Sequence, residues 1–145
     1  MNLYELYEIA DENAINVDYF PMRQAVSISI PDSIAIDIDK IETCREEKAV
    51  LAYELGHCMT GSFYTISTID NRGRMEERAN RWAIKTLLPF SKLNEAVVSG
   101  IYETYDLADY FELPESFIKT ALNYYLNCRG LHFNDKIAQI YNEGL

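Results

Sequence analysis

The chain has 145 residues, 23 of them acidic and 13 basic, for a formal net charge of −10. Its 48% apolar content, with six glycines and four prolines, is enough for one packed core and excludes collagen-like, low-complexity and disordered classes. The deficit of Lys and Arg argues against a protein that neutralises a phosphate backbone, and two histidines and three cysteines leave few ligands for a metal.

Leu3, Leu6, Tyr7 and Ala10 recur at helical spacing and predict an amphipathic helix over about residues 2–13. Glu5, Glu8, Asp11 and Glu12, with no basic segment ahead of an apolar run, distinguish it from a secretory signal. The period then changes to two. Val17 and Tyr19, then Val26, Ile28 and Ile30, then Ile34, Ile36 and Ile38 alternate with polar or small residues, which is the pattern of half-buried strands. Pro31-Asp32-Ser33 supplies a turn, because proline presets φ while Asp and Ser bond back to the local backbone. The expectation is a small antiparallel sheet of about three strands near the N-terminus.

From Ile41 onward the pattern is helical. Thr43 followed by Glu46 signals a capped start near Cys44 for a helix running to Gly61. A polar connection over about residues 62–72 leads to a second helix, GRMEERANRWAIKTLL, which Pro89 stops. Further helices are expected over about 91–99, 105–111, 114–127 and 134–141, the third of these four starting with proline in its first turn. Strands first and helices after make an α+β protein. We read residues 1–145 as a single domain, with a core over about 1–100 and a C-terminal helical extension over about 101–145. No segment approaches the roughly 18 apolar residues of a membrane span. Cys44, Cys58 and Cys128 are odd in number and lack a CxxC pair, which suits reduced thiols in a cytoplasmic protein.

The chemistry centres on Tyr53-Glu54-Leu55-Gly56-His57, a HExxH zinc-protease motif with tyrosine in place of the first histidine. In that motif positions i and i+4 of a helix lie one above the other, so two imidazoles hold one zinc while the glutamate between them reaches its water. Glu54 and His57 still share a face; one imidazole is gone. In the next helix Glu76, Ala79 and Ala83 fall on one stripe, where small residues permit close approach to a neighbour and a carboxylate rides along. Read alone, Glu54 is equally a surface charge and His57 a partly buried histidine, and Glu76 a solvated charge beside ordinary helix packing.

Together the segments LAYELGHCMTG and RMEERANRWAIKTLLP resemble the ImmA/IrrE family of zinc-metallopeptidase-like proteins of phages and mobile elements. The resemblance is strongest over about residues 46–90 and implies a zincin-like helical bundle carrying the sheet. It implies His57 and Glu76 as zinc ligands, with Glu77 the substitute if the second helix is rotated. Glu54 is implied as the general base, and Tyr53 stands at the first ligand position. The implied substrate is a protein of the transcriptional-repressor type, cut by metal-assisted hydrolysis. With Tyr53 in place of histidine, the alternative is a pseudo-peptidase that binds a repressor or other protein without cutting it.

Residues 104–125 read as two helices about a turn at Glu112-Leu113-Pro114, which resembles a helix-turn-helix. Five carboxylates against Lys119 alone over residues 101–127 argue for a structural hairpin and against direct nucleic-acid binding. Trp82 is expected in the core, Cys58 as a buried thiol pointing away from the site. His132 is the one other histidine available to complete a metal site.

Overall fold

A computed structural model describes residues 1–133. The fold is α+β, with six α-helices and a small three-stranded sheet near the N-terminus among the described residues. It divides into two compact units, Met1–Leu87 and Leu88 onward. Among the described residues no helix is long and apolar enough to cross a membrane. The helix expected over 134–141 lies outside the described residues.

The first unit opens with α1 (Leu3–Glu12), held at its start by a capping box in which Asn2 accepts from the Glu5 amide and Glu5 accepts from the Asn2 amide. Three strands follow, β1 (Asn16–Tyr19), β2 (Ser27–Ile30) and β3 (Ser33–Ile36), in the order β1-β3-β2. The sheet is mixed, where a wholly antiparallel one was expected: β2 pairs antiparallel with β3, but β1 runs parallel to it. A tight turn imposes antiparallel pairing only on the two strands it joins. Pro31 and Asp32 form that turn, Asp32 at φ +64°, a conformation a short polar side chain tolerates. The longer connection from Phe20 to Val26 lets the chain place β2 on the far side of β3.

The same turn decides which side chains face the helices. Ile30 opposes Ser33, Ser29 opposes Ile34, Ile28 opposes Ala35 and Ser27 opposes Ile36. Opposed residues share a face, so the isoleucines of β2 fall on the face opposite those of β3. Ile34 and Ile36 are buried, whereas Val26, Ile28 and Ile30 are exposed, and Ser27 and Ser29 turn inward. The third strand stops at Ile36, and Ile38 enters a short 3-10 turn (Ile38–Lys40) instead of extending it.

α2 (Cys44–Thr60) begins where the Thr43 hydroxyl accepts from the Glu46 amide, and ends at Gly61 in the left-handed region, φ +64°. A 3-10 segment (Ile66–Asn71) leads into α3 (Arg72–Leu87). Leu51, Ala52 and Leu55 of α2 and Ala79, Ala83 and Ile84 of α3 are sealed from solvent, and with Leu6, Ile34 and Ile36 they form the core of this unit.

The second unit contains α4 (Phe90–Val98), α5 (Thr104–Phe111) and α6 (Glu115–Asn123). The α-helical part of α6 stops earlier than expected. Residues Tyr124–Cys128 form a π-helical turn, and the Tyr125 hydroxyl donates to the Leu88 carbonyl at 2.8 Å while its ring packs on Phe90.

Asp37 anchors the connection that delivers β2. It is 4% exposed and accepts from the Met22 amide, while Lys40 pairs with it and donates to the Met22 and Ala25 carbonyls. The Met22 amide, helped by Lys40 and opposed by burial, holds the Asp37 carboxyl below its ordinary value. A depressed carboxyl stabilises the fold at neutral pH and ceases to do so as pH falls through its folded value. Asp37→Asn should therefore lower the thermal midpoint at pH 7, and the gap from wild type should close as pH drops below the ordinary value of 3.8. A gap that stays constant with pH would show that the charge contributes nothing.

Candidate functional site

The site is assembled from the C-terminal turns of α2. Gly61 reverses the chain, so the Ser62 amide donates to the His57 carbonyl and the Ser62 side chain is fully buried. The reversal sets the Ser62 carbonyl against His57 Nδ1. A carbonyl only accepts, so this contact places the imidazole proton on Nδ1 and presents Nε2 to the cleft. His57 is 5% exposed, with Phe63 stacked at 6.3 Å between centroids and the Tyr53 ring meeting it edge-on at 4.9 Å and 83°.

Glu76 arrives from α3. Its Oε2 lies 3.7 Å from His57 Nε2, and its Oε1 accepts from the Tyr64 hydroxyl at 2.9 Å. Burial pushes the Glu76 carboxyl above its ordinary value. Glu77, the substitute if α3 were rotated, is turned to solvent and pairs with Arg81 at 3.1 Å. The approach that brings Glu76 to His57 depends on Gly56, because a Cβ there would run into the backbone carbonyl of Ala79. Glu54 is 5% exposed, and its Oε1 accepts from the Ser27 hydroxyl at 2.6 Å.

These residues line a cleft of about 580 Å³. One wall is the whole stretch from Val26 to Pro31, the other is Tyr53, Glu54 and His57 of α2, with residues 62–65 and Glu76 closing it. Among the described residues β2 has a strand partner on one side only, so an edge of the sheet runs beside the carboxylates and the imidazole. Cys58 is half-buried rather than sealed; its Sγ lies 3.6 Å from the Ile30 carbonyl, and burial pushes the thiol up to about 11. That disfavours the nucleophilic thiolate.

Sequence reasoning did not single out Ser62, Tyr64 or Ser27, which orient His57, Glu76 and Glu54 respectively. A glycine at the end of α2 was the available signal for Ser62, since the chain must fold back there. Ser27 was concealed by the apolar residues on either side of it.

The donors can be tested against zinc. Two atoms bound to one tetrahedral ion at about 2.1 Å stand about 3.4 Å apart, so His57 Nε2 and Glu76 Oε2, at 3.7 Å, suit two corners of such a site. A catalytic zinc takes three protein ligands and a water. The position one turn before His57 is Tyr53, whose phenol ordinarily titrates near 10 and so is not a phenolate at neutral pH unaided. Among the described residues no group of three His, Cys, Asp or Glu side chains could hold a metal, and His132 is exposed. Among the described residues the donor set therefore does not fit a catalytic zinc; it is one ligand short.

Residues 36–123 match the Peptidase M78 family, described as the IrrE N-terminal-like domain, and the chain belongs to that family. It matches no curated protein and no solved structure. The matched segment begins at Ile36 and takes in all of α2 and α3, so the cleft's helical wall and Glu76 both lie within it.

Gly56→Ala tests the helix contact on which the site depends. Alanine is worth about 1 kcal/mol over glycine inside a helix, but the added Cβ meets backbone, which moves only if α3 moves, and overpacking costs about 1–3 kcal/mol. Because the obstruction is backbone, the cost falls at the upper end of that range, and the variant should be less stable to urea by about 2 kcal/mol. Unchanged or raised stability would show that α2 and α3 separate at no cost.

Proposed function

We propose that this member of the Peptidase M78 family is a pseudo-peptidase: it holds a segment of a protein partner in the cleft between β2 and α2 and does not cut it. The observation that carries this reading is Tyr53, whose aromatic ring packs against the His57 ring where the zinc-protease motif has its first histidine. The rest of the site supports binding. The free edge of β2 offers main-chain donors and acceptors to an extended polypeptide, which is the mode of β-strand addition. Glu54 and Glu76 add negative charge beside it, and the Ser27 and Tyr64 hydroxyls hold each carboxylate in place.

On the family resemblance, the partner is a transcriptional repressor, the setting phage or mobile-element regulation, and the compartment the cytoplasm. Three free cysteines suit that compartment.

The 3.7 Å spacing of His57 and Glu76 favours a second reading, a zinc-dependent peptidase that keeps its metal despite the substitution. The two separate on metal affinity. If about 10–16 kcal/mol of zinc binding is shared among four ligands, one ligand is worth roughly 3 kcal/mol, or on the order of a hundredfold in affinity. Purified protein should hold well under one zinc per chain by elemental analysis. Tyr53→His should raise this toward one, and adding Glu76→Ala should abolish the gain. A wild-type chain with one tightly held zinc, lost on Glu76→Ala, would overturn the pseudo-peptidase in favour of the peptidase.

A further inference from the structure

Away from the cleft, the charge of the chain is distributed very unevenly. α3 carries Arg72, Arg74, Arg78, Arg81 and Lys85 against Glu76 and Glu77, leaving eight basic and twenty-one acidic residues in the rest of the chain. Ala79 and Ala83 turn inward on α2. Arg74, Arg78, Arg81 and Lys85 follow one another at spacings of four, three and four, which stacks them along one exposed side of the helix, opposite the alanines. Among the described residues Arg74, Arg78 and Lys85 make no ion pair. Arg81 pairs with Glu77, but both side chains are more than half exposed, and such a pair is worth no more than about 1 kcal/mol.

Beside this row lies Trp82. It was expected in the core; instead it is half-buried and lines a shallow recess of about 360 Å³ with Thr60, Arg78, Arg81 and Lys85. An aromatic face framed by guanidinium groups offers an apolar anchor among charge-assisted donors.

We propose that this face of α3 is a docking surface for an acidic segment of a protein partner, one carrying an apolar side chain that seats on Trp82. Arg74 to Lys85 spans eleven residues of helix, about 16 Å, the length of about five residues of extended chain. The size of the patch decides between a peptide and a nucleic acid. A duplex carries a negative charge for about every 1.7 Å of its axis and would run beyond the patch across a strongly acidic remainder. A short acidic segment places its charge on the arginines and ends there. The surface is on the side of α3 away from His57 and does not depend on what the cleft binds.

Trp82 is the only tryptophan of the chain and therefore reports on its own recess. The full-length protein, at low ionic strength, is titrated with a short synthetic peptide of glutamates around one leucine, with its glutamine counterpart, and with a duplex oligonucleotide. The glutamate peptide should change Trp82 emission saturably, the glutamine peptide should not, and raising the salt should weaken binding. Arg78→Glu with Arg81→Glu should weaken it at least tenfold. Both residues are exposed, so the far-ultraviolet circular dichroism should stay that of wild type. No change in emission, equal response to both peptides, or wild-type affinity in the folded double variant would overturn the proposal. Tighter binding of the duplex than of the glutamate peptide would overturn it in favour of a nucleic-acid surface.

Discussion

The closeness of α2 and α3 governs the first unit. At Gly56 the two helices approach until the backbone of Ala79 occupies the space a side chain would need. Ala79 and Ala83 are fully buried in that contact, and small residues are what allow two helices to pack with their backbones near each other. The distance matters because side chains must meet across it. Glu76 reaches His57 only because it sits one turn before Ala79 on the tightly packed stripe. A bulkier residue in the seam would hold the carboxylate and the imidazole apart.

The end of α2 supplies the second constraint. Termination at Gly61 is ordinary helix capping, yet the same reversal puts the Ser62 carbonyl on His57 and carries Phe63 and Tyr64 into the site. One glycine thus sets the orientation of the imidazole and supplies the partner of the carboxylate. One imidazole nitrogen is tied to a carbonyl and the carboxylate to a hydroxyl, contacts of the kind that orient ligands around a metal. One turn before the imidazole an aromatic ring, that of Tyr53, packs against it. A binding cleft with fixed polar groups and an open strand edge is the property such a site keeps. α3 serves two purposes in this scheme: its small-residue stripe closes the cleft, and its opposite side concentrates positive charge in an acidic chain.

Much of this was legible in the sequence. The capped start of α2, its glycine end and the proline after α3 are local signals, and the helices they bound appear within a residue or two of expectation. Membership in the family was carried by two motifs in order on those helices, and local spacing is sufficient for that. The sheet was harder. Alternation correctly marked three strands, but not which pair would run parallel, and not that the isoleucines of β2 would face solvent. A two-residue turn always opposes an odd-numbered with an even-numbered position, so apolar rows on even positions of both strands must part. Trp82 was misplaced for a related reason. A large aromatic in a helix suggests a core, but the helix has two sides, and here the alanines take the inner one.

The sequence by itself determined the kinds of element, their order, the family and the place of Tyr53 one turn before His57, because each is written in residues near one another along the chain. Only the tertiary structure decided that Glu76 and not Glu77 meets His57, that Ser27 holds Glu54, and that the arginines of α3 gather around Trp82. Those outcomes depend on the rotation of one helix against another and on the register of one strand against the next. Both are settled by packing between segments distant in sequence, where a shift of one residue exchanges the inner side chain for the outer.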